Sequence, residues 1–270
     1  MSLYITSLNS GSNGNCYYVG NGHEAVLIDA GISCRETERR MLRLGLNMQK
    51  VRAIFISHEH TDHIRGVEVL SKKYKLPVYI TPQTQQSGRL TIENSISFAG
   101  YQPIQVGGLS ITAFPKFHDA AHPHSFIISQ SGITVGVFTD IGAPCDHLIS
   151  HFKQCHAAFL EANYDEDMLQ NGRYPWHLKN RIRGGHGHLS NKQALDIFTT
   201  HRPEHMSHLL LAHLSKDNND PQLVQTLFSA HAQNTRIIVA SRYQETPVYH
   251  ITGQMHPDYI ADEPAQFSLF

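Results

Sequence analysis

Phe55-Ile56-Ser57-His58-Glu59-His60-Thr61-Asp62-His63 packs four side chains able to hold a metal, His58, His60, Asp62 and His63, into six residues. Imidazole and carboxylate are the groups that bind zinc, manganese or iron. They follow directly on the apolar run Ala53-Ile54-Phe55-Ile56, which reads as a buried strand ended by a polar turn. On an extended strand end His58 and His60 point the same way, because side chains repeat every two residues. If the chain then turns into a helix over 64–74, Asp62 and His63 swing toward a second point close by. That is the geometry of a two-metal site.

With 20 histidines in 270 residues some clustering is expected. A tight His-x-His-x-Asp-His on the exit of a hydrophobic strand is more than abundance gives, and it resembles the signature of the metallo-β-lactamase superfamily. Working outward, strands are expected at 3–8, 16–20, 24–29, 77–80, 97–98, 103–106, 110–114, 125–129, 133–139, 157–161, 209–212, 236–240 and 247–251. Helices are expected at 33–46, with Met41, Leu42, Leu44 and Leu46 on its inner side, and at 146–154, 165–169, 190–200 and 221–231. Runs of strands interrupted by helices in both halves give an α/β layered class. The particular four-layer αββα sandwich is what the resemblance implies. No repeat, low-complexity segment or linker appears, so residues 1–270 are read as a single metallo-β-lactamase-like hydrolase domain with a substantial core.

A hydrophobic content of 40% and a charged content of 17% are ordinary for a globular chain. There is no apolar run of bilayer length, and Met1-Ser2-Leu3-Tyr4 lacks the features of a signal peptide, so a soluble cytoplasmic protein with no membrane partner is expected. Cys16, Cys34, Cys145 and Cys155 are scattered and read as free thiols. The formal net charge of -1 gives no basic footprint, so nucleic-acid binding would have to rest on a local patch.

One strand end cannot fill two coordination spheres. Val135-Gly136-Val137-Phe138-Thr139-Asp140 is a second apolar strand ending in a donor, and a carboxylate can bridge two cations; Asp140 is the expected bridge. Leu209-Leu210-Leu211-Ala212-His213 repeats the pattern and supplies the last ligand. The superfamily resemblance points to His118 as the third-motif ligand, with Asp119 beside it as the alternative. His122 and His124 read as solvent-facing loop residues. The expected sites are His58, His60 and His118 at one divalent ion, and Asp62, His63 and His213 at the other, with Asp140 between. Two zinc, manganese or iron ions so held lower the pKa of a bound water, making hydroxide the nucleophile.

In Gly184-Gly185-His186-Gly187-His188-Leu189-Ser190-Asn191 the glycines permit close backbone approach, and Ser190 can cap the following helix. His188 is expected at that helix start, where partial positive charge favours an anion and an imidazole can donate a proton. Together with Ala212-His213-Leu214-Ser215 this segment resembles the paired motifs of tRNA 3′-processing nucleases. A wider set of segments is similar to the WalJ (YycJ) family of bacterial proteins: the 10–15 Ser/Gly/Asn loop, His118-Asp119-Ala120, Thr139-Asp140-Ile141-Gly142, Glu161-Ala162-Asn163-Tyr164-Asp165, 174–182 and 213–219. That likeness implies 5′-to-3′ exonuclease action on DNA, with manganese favoured. Under this reading His188 and Asp62 are catalytic and the partner is DNA with a 5′ phosphate. Arg173, Lys179, Arg181 and Arg183 interleave with Tyr174 and Trp176, which suits stacking on bases, and Arg181 and Arg183 are substrate-binding candidates. Ser12 and Asn13 belong to a loop whose backbone N–H groups suit a terminal phosphate. The alternative, mildly favoured by the near-neutral charge, is a small-molecule hydrolase acting on a cyclic phosphodiester, lactone or thioester.

Overall fold

The computed structural model describes residues 2–253. The apolar runs fold into two sheets of seven strands each. The first is built from β1 (Ser2–Asn9), β2 (Cys16–Gly20), β3 (Ala25–Ile28), β4 (Val51–Phe55), β5 (Val78–Tyr79) and β6 (Ser95–Ile96). The second contains β7 (Ile104–Val106), β8 (Leu109–Pro115), β9 (His124–Gln130), β10 (Ile133–Phe138), β11 (Ala157–Glu161), β12 (His208–Ala212) and β13 (Arg236–Val239). A last strand, β14 (Tyr249–Thr252), returns to pair antiparallel with β1.

Side chains alternate between the two faces of each strand. Leu3, Ile5, Tyr17, Val19, Val26 and Ile28 meet Val135, Val137, Phe159 and Leu210 between the sheets. The alternate residues Tyr18, Leu27, Ile54 and Ile56 pack outward with Met41, Val67 and Leu70 of α1 (Cys34–Arg43) and α3 (Val67–Tyr74), which follows the short α2 (Thr61–Ile64). On the far side Ala158, Leu160, Leu209 and Leu211 lie under α5 (Asp146–Phe152), α8 (Asn191–His201) and α9 (Pro221–Ser229). The result is a helix–sheet–sheet–helix sandwich. Strands covered on both faces read as unbroken apolar runs, which is why they stand out in the sequence.

Several elements differ from the sequence expectation. The helix expected over 64–74 is interrupted at Gly66, whose N–H donates to Ala30 O and where a Cβ would lie 2.0 Å from Ile32 O. The first helix stops at Arg43 and leaves Leu42 78% exposed rather than inward. Two short helices were not anticipated: α4 (Pro82–Ser87), capped by Thr81, and α7 (Trp176–Arg183), which starts after Pro175. With α6 (Glu166–Asn171), α7 builds a small satellite cluster of Tyr164, Leu169 and Ile182. The four cysteines are free, and among the described residues no helix is long and apolar enough to cross a membrane.

What positions the site is strand direction. β3 to β6 run parallel to one another, as do β10 to β13. The carboxyl ends of parallel strands are where α/β sheets hold ligands. The loops there are laced tightly: Asn15 N donates to Asp62 O, Gly31 N to Asn15 O, and Ala30 N to His63 O. At Gly31 a Cβ would meet Asp62 O at 1.6 Å. Gly31→Ala is therefore expected to cost about 1–3 kcal/mol or more and to displace Asp62, read as a lower Tm together with reduced bound metal.

Candidate metal centre

Three residues just past the strand ends adopt the left-handed backbone that non-glycine residues rarely take: Asp29 (φ 62°), Asp140 (φ 54°) and His213 (φ 57°). They follow β3, β10 and β12; Asp140 and His213 turn candidate ligands into the same space, and Asp29 turns its carboxylate to Nδ1 of the candidate His63 at 2.7 Å. Strained backbone gathered in this way marks functional sites.

His58 Nε2 lies 3.1 Å and His118 Nε2 3.3 Å from His60 Nδ1. The outer nitrogen of His118 faces Gly187 O at 3.0 Å, and a carbonyl only accepts, so that nitrogen carries the hydrogen and Nε2 presents a lone pair. Burial pushes the His118 pKa down to about 3 and holds His58 well below the usual imidazole range. Three ring nitrogens thus converge with His58 and His118 neutral, an arrangement suited to a shared cation. On the other side His213 Nε2 is 3.3 Å and His63 Nε2 3.6 Å from Asp62 Oδ2. Asp140 stands between, with Oδ2 3.2 Å from His63 Nε2 and Oδ1 3.5 Å from His213 Nε2 and 3.8 Å from His118 Nε2.

Asp140 Oδ2 is buried, and its 3.2 Å approach to His63 Nε2 does not have hydrogen-bond geometry. Asp29, which itself accepts from Ser57, takes the Nδ1 side of His63 at 2.7 Å and thereby turns Nε2 toward Asp140. Such outer carboxylates orient metal-binding histidines and raise their basicity. The donor chemistry and the orphaned oxygen both fit divalent cations. Without a metal, burial opposes a charge on His63, but Asp140, Asp29 and Asp62 outweigh it and raise its pKa to about 10; His213 is likewise raised well above its usual value against burial, chiefly by Asp140. Metal must displace these protons. Binding should therefore release protons and weaken as pH falls, read from the buffer dependence of the heat of Mn2+ or Zn2+ titration.

Residues 24–213 match the β-lactamase superfamily domain. The exodeoxyribonuclease YycJ of Bacillus anthracis is 35% identical over 83% of this chain and 87% of its own length. The chain belongs to the metallo-β-lactamase superfamily, in its YycJ/WalJ branch. It is accordingly a metal-dependent hydrolase. Solved structures share the fold: the metallo-β-lactamase fold protein YhfI from Bacillus subtilis superimposes with a TM-score of 0.71 at 18% identity, covering 93% of this chain and all (100%) of that one. Human tRNase Z, short form, gives 0.62 at 15% identity over 90% of this chain and 98% of that one.

Within this superfamily member the seven ligand candidates His58, His60, Asp62, His63, His118, Asp140 and His213 lie together. Asp119 instead turns one carboxylate oxygen to Arg181 Nε, while the other stays 3.5 Å from His118 Nε2. His188 is at the centre too: its Nδ1 is 2.7 Å from Glu161 Oε1, and its ring stacks on His213 at 5.2 Å. It stands two residues before the cap of α8 rather than at the helix end. Ser190 and Gln193 close a capping box, and Asn191 N donates to Tyr164 O, so these N–H groups are already bonded within the protein.

Sequence reasoning gave Glu161 no role. It is fully buried at the end of β11, where Oε2 accepts from Ile141 N at 2.6 Å and Leu189 N at 3.2 Å, and Oε1 reaches His188. Burial opposes its ionisation, yet His188 and His213 lower its pKa to about 2. The available signal was Ala157-Ala158-Phe159-Leu160-Glu161, one more apolar run ending in a carboxylate. Asp29 and Lys116 also went unassigned. Lys116 is buried and donates to Thr139 O at 2.6 Å, holding the turn that presents Asp140. His124 is not solvent-facing: it is 1% exposed, packed on Phe98, with its N–H donated to Ser57 O.

Ser12 and Asn13 lie on the rim. Ser12 Oγ accepts from Arg242, and Asn13 donates its amide to Arg242 O and accepts at its own carbonyl from Arg65. The loop does not offer a continuous run of N–H groups, since those of Ser10, Gly11, Gly14 and Asn15 are bonded within the protein. Its inward member is Asn15, which donates to Asp62 Oδ2 at 3.1 Å. Arg181 borders the centre through Asp119, whereas Arg183 lies over the Trp176 ring at 4.5 Å, and Tyr174 is tied to Asp217.

Proposed function

We propose that this chain is a dinuclear exodeoxyribonuclease that degrades DNA from a 5′-phosphorylated end. The observation that carries the reading is Asp140, whose carboxylate lies between the His58/His60/His118 group and the Asp62/His63/His213 group. The substrate class is supported by the YycJ relative, an exodeoxyribonuclease. His58, His60 and His118 would hold one ion and Asp62, His63 and His213 the other, with Asp140 shared; the ions are manganese, zinc or iron. When bound, they supply an activated water and neutralise charge building on the phosphate oxygens.

The chain's own part is proton handling and positioning. Asp62 would take a proton from the attacking water. Glu161 holds His188 by Nδ1, so that the doubly protonated imidazolium, its charge balanced by Glu161, would give its Nε2 proton to the departing oxygen and be left neutral. Arg181 beside Asp119, with Arg65 and Arg242 bonded to the neutral Ser12 and Asn13, would give the rim the local positive charge that the whole chain lacks, and Arg183 over Trp176 would extend it. We read 1–270 as one domain working in the cytoplasm; residues 254–270 lie outside those described.

The test is purified protein with Mn2+ on DNA labelled at either end. Mononucleotides should leave from a phosphorylated 5′ end, and raising salt should depress turnover steeply. Activity confined to a small neutral ester and indifferent to salt would favour the small-molecule alternative.

A further inference from the structure

We propose that Phe117, with His186 at its side, is a stacking platform for the nucleobase next to the phosphodiester being cut. This rests on the DNA-cleaving reading above. Phe117 is 49% exposed, and a single exposed aromatic is by itself ordinary. Its anchoring is not. Phe117 O accepts from Gly142 N at 2.6 Å, Lys116 before it is bonded to Thr139 O, and His118 after it is bonded to Gly187 O. The backbone is thus held on both sides while the ring stands at the surface. Its ring neighbour is His186, 6.0 Å away and nearly perpendicular at 86°. A perpendicular neighbour covers at most one face of the phenyl ring.

Position gives that free face a use. Phe117 is one residue from His118, and His186 two residues from His188, so the pair flanks the place where phosphate would sit. A base lies one sugar away from its phosphate, the same kind of offset. Of the two aromatic residues in the basic segment, Trp176 carries Arg183 on one face and Tyr174 is bonded to Asp217, and neither adjoins a candidate ligand in the chain as Phe117 does. Stacking also suits the chain's charge. A protein of formal net charge -1 gains little general attraction for DNA, and an enzyme removing successive nucleotides must accept every base. Stacking is tolerant of base identity because every base has a π-face.

The experiment compares single-stranded DNA carrying a normal or an abasic nucleotide at the flanking position, using wild type, Phe117→Ala and Phe117→Trp loaded with Mn2+. Wild type should prefer the base-bearing substrate roughly 5- to 150-fold in kcat/KM, the scale of one stacked base. Phe117→Ala should lose that preference with unchanged metal content, and Phe117→Trp should keep it. A wild type indifferent to the missing base, or a Phe117→Ala variant that still discriminates like wild type, overturns the platform and leaves the exonuclease reading standing. A wild type that cleaves neither substrate overturns both.

Discussion

Asp140→Ala is expected to lose both bound metal and DNA cleavage, the latter by about 10²–10³-fold or more. Among the described residues Asp140 is the one carboxylate that reaches His63, His118 and His213, and its position is held by the left-handed turn after β10 and by the Lys116 bond to Thr139 O. Removing it leaves His63 and His213 facing one acid fewer, so the metal-free protein should also change. Burial holds the Asp140 pKa up, but His213 and His63 outweigh that and keep it well below the usual carboxylate range. Metal analysis of the purified variant beside wild type, with cleavage assays at saturating Mn2+, measures both effects. An Asp140→Ala protein that keeps two ions per chain would remove Asp140 from the bridge.

His188→Ala is expected to separate the two properties. Metal content should stay at the wild-type level, while cleavage falls by about 10²–10⁴-fold, the range for loss of a positioned acid. The loss should depend on the leaving group. DNA departs as a strongly basic alkoxide and needs a proton, whereas a nitrophenyl phosphodiester does not, so the deficit should shrink markedly on the second substrate. Glu161→Gln should fall in the same direction, because it removes the charge that holds His188 Nδ1 at 2.7 Å. Equal losses on both substrates would point to binding rather than proton transfer.

Much of this was legible in the sequence because the informative signals are local. Ala53-Ile54-Phe55-Ile56, Val135-Gly136-Val137-Phe138 and Leu209-Leu210-Leu211-Ala212 are apolar on both faces, and each ends in a donor. Hydrophobic runs of that length between turns identify buried strands, and histidine or aspartate at the exit marks candidate ligands, without knowledge of any partner. The same rule extended to Ala157-Ala158-Phe159-Leu160-Glu161, where a charged residue closing an apolar strand was as informative as Asp140. Helices α4 and α7 were less visible because they are short and largely polar or exposed, and their caps lie in Thr81-Pro82 and Pro175-Trp176, pairs that also suit turns.

The sequence by itself determined the class of the fold and singled out the candidate donors, since alternation of side chains and the chemistry of imidazole and carboxylate are properties of short segments. Only the tertiary structure decided how those donors are aimed. His213 meets Asp62 across 151 positions of chain, and His63 is oriented by Asp29 across 34. Whether His124 is buried, which way Asp119 turns, and that Glu161 holds His188 depend on which loops pack together at the strand ends. Those contacts are set by sheet order and by close approaches such as Gly31 on Asp62, and no spacing along the chain encodes them.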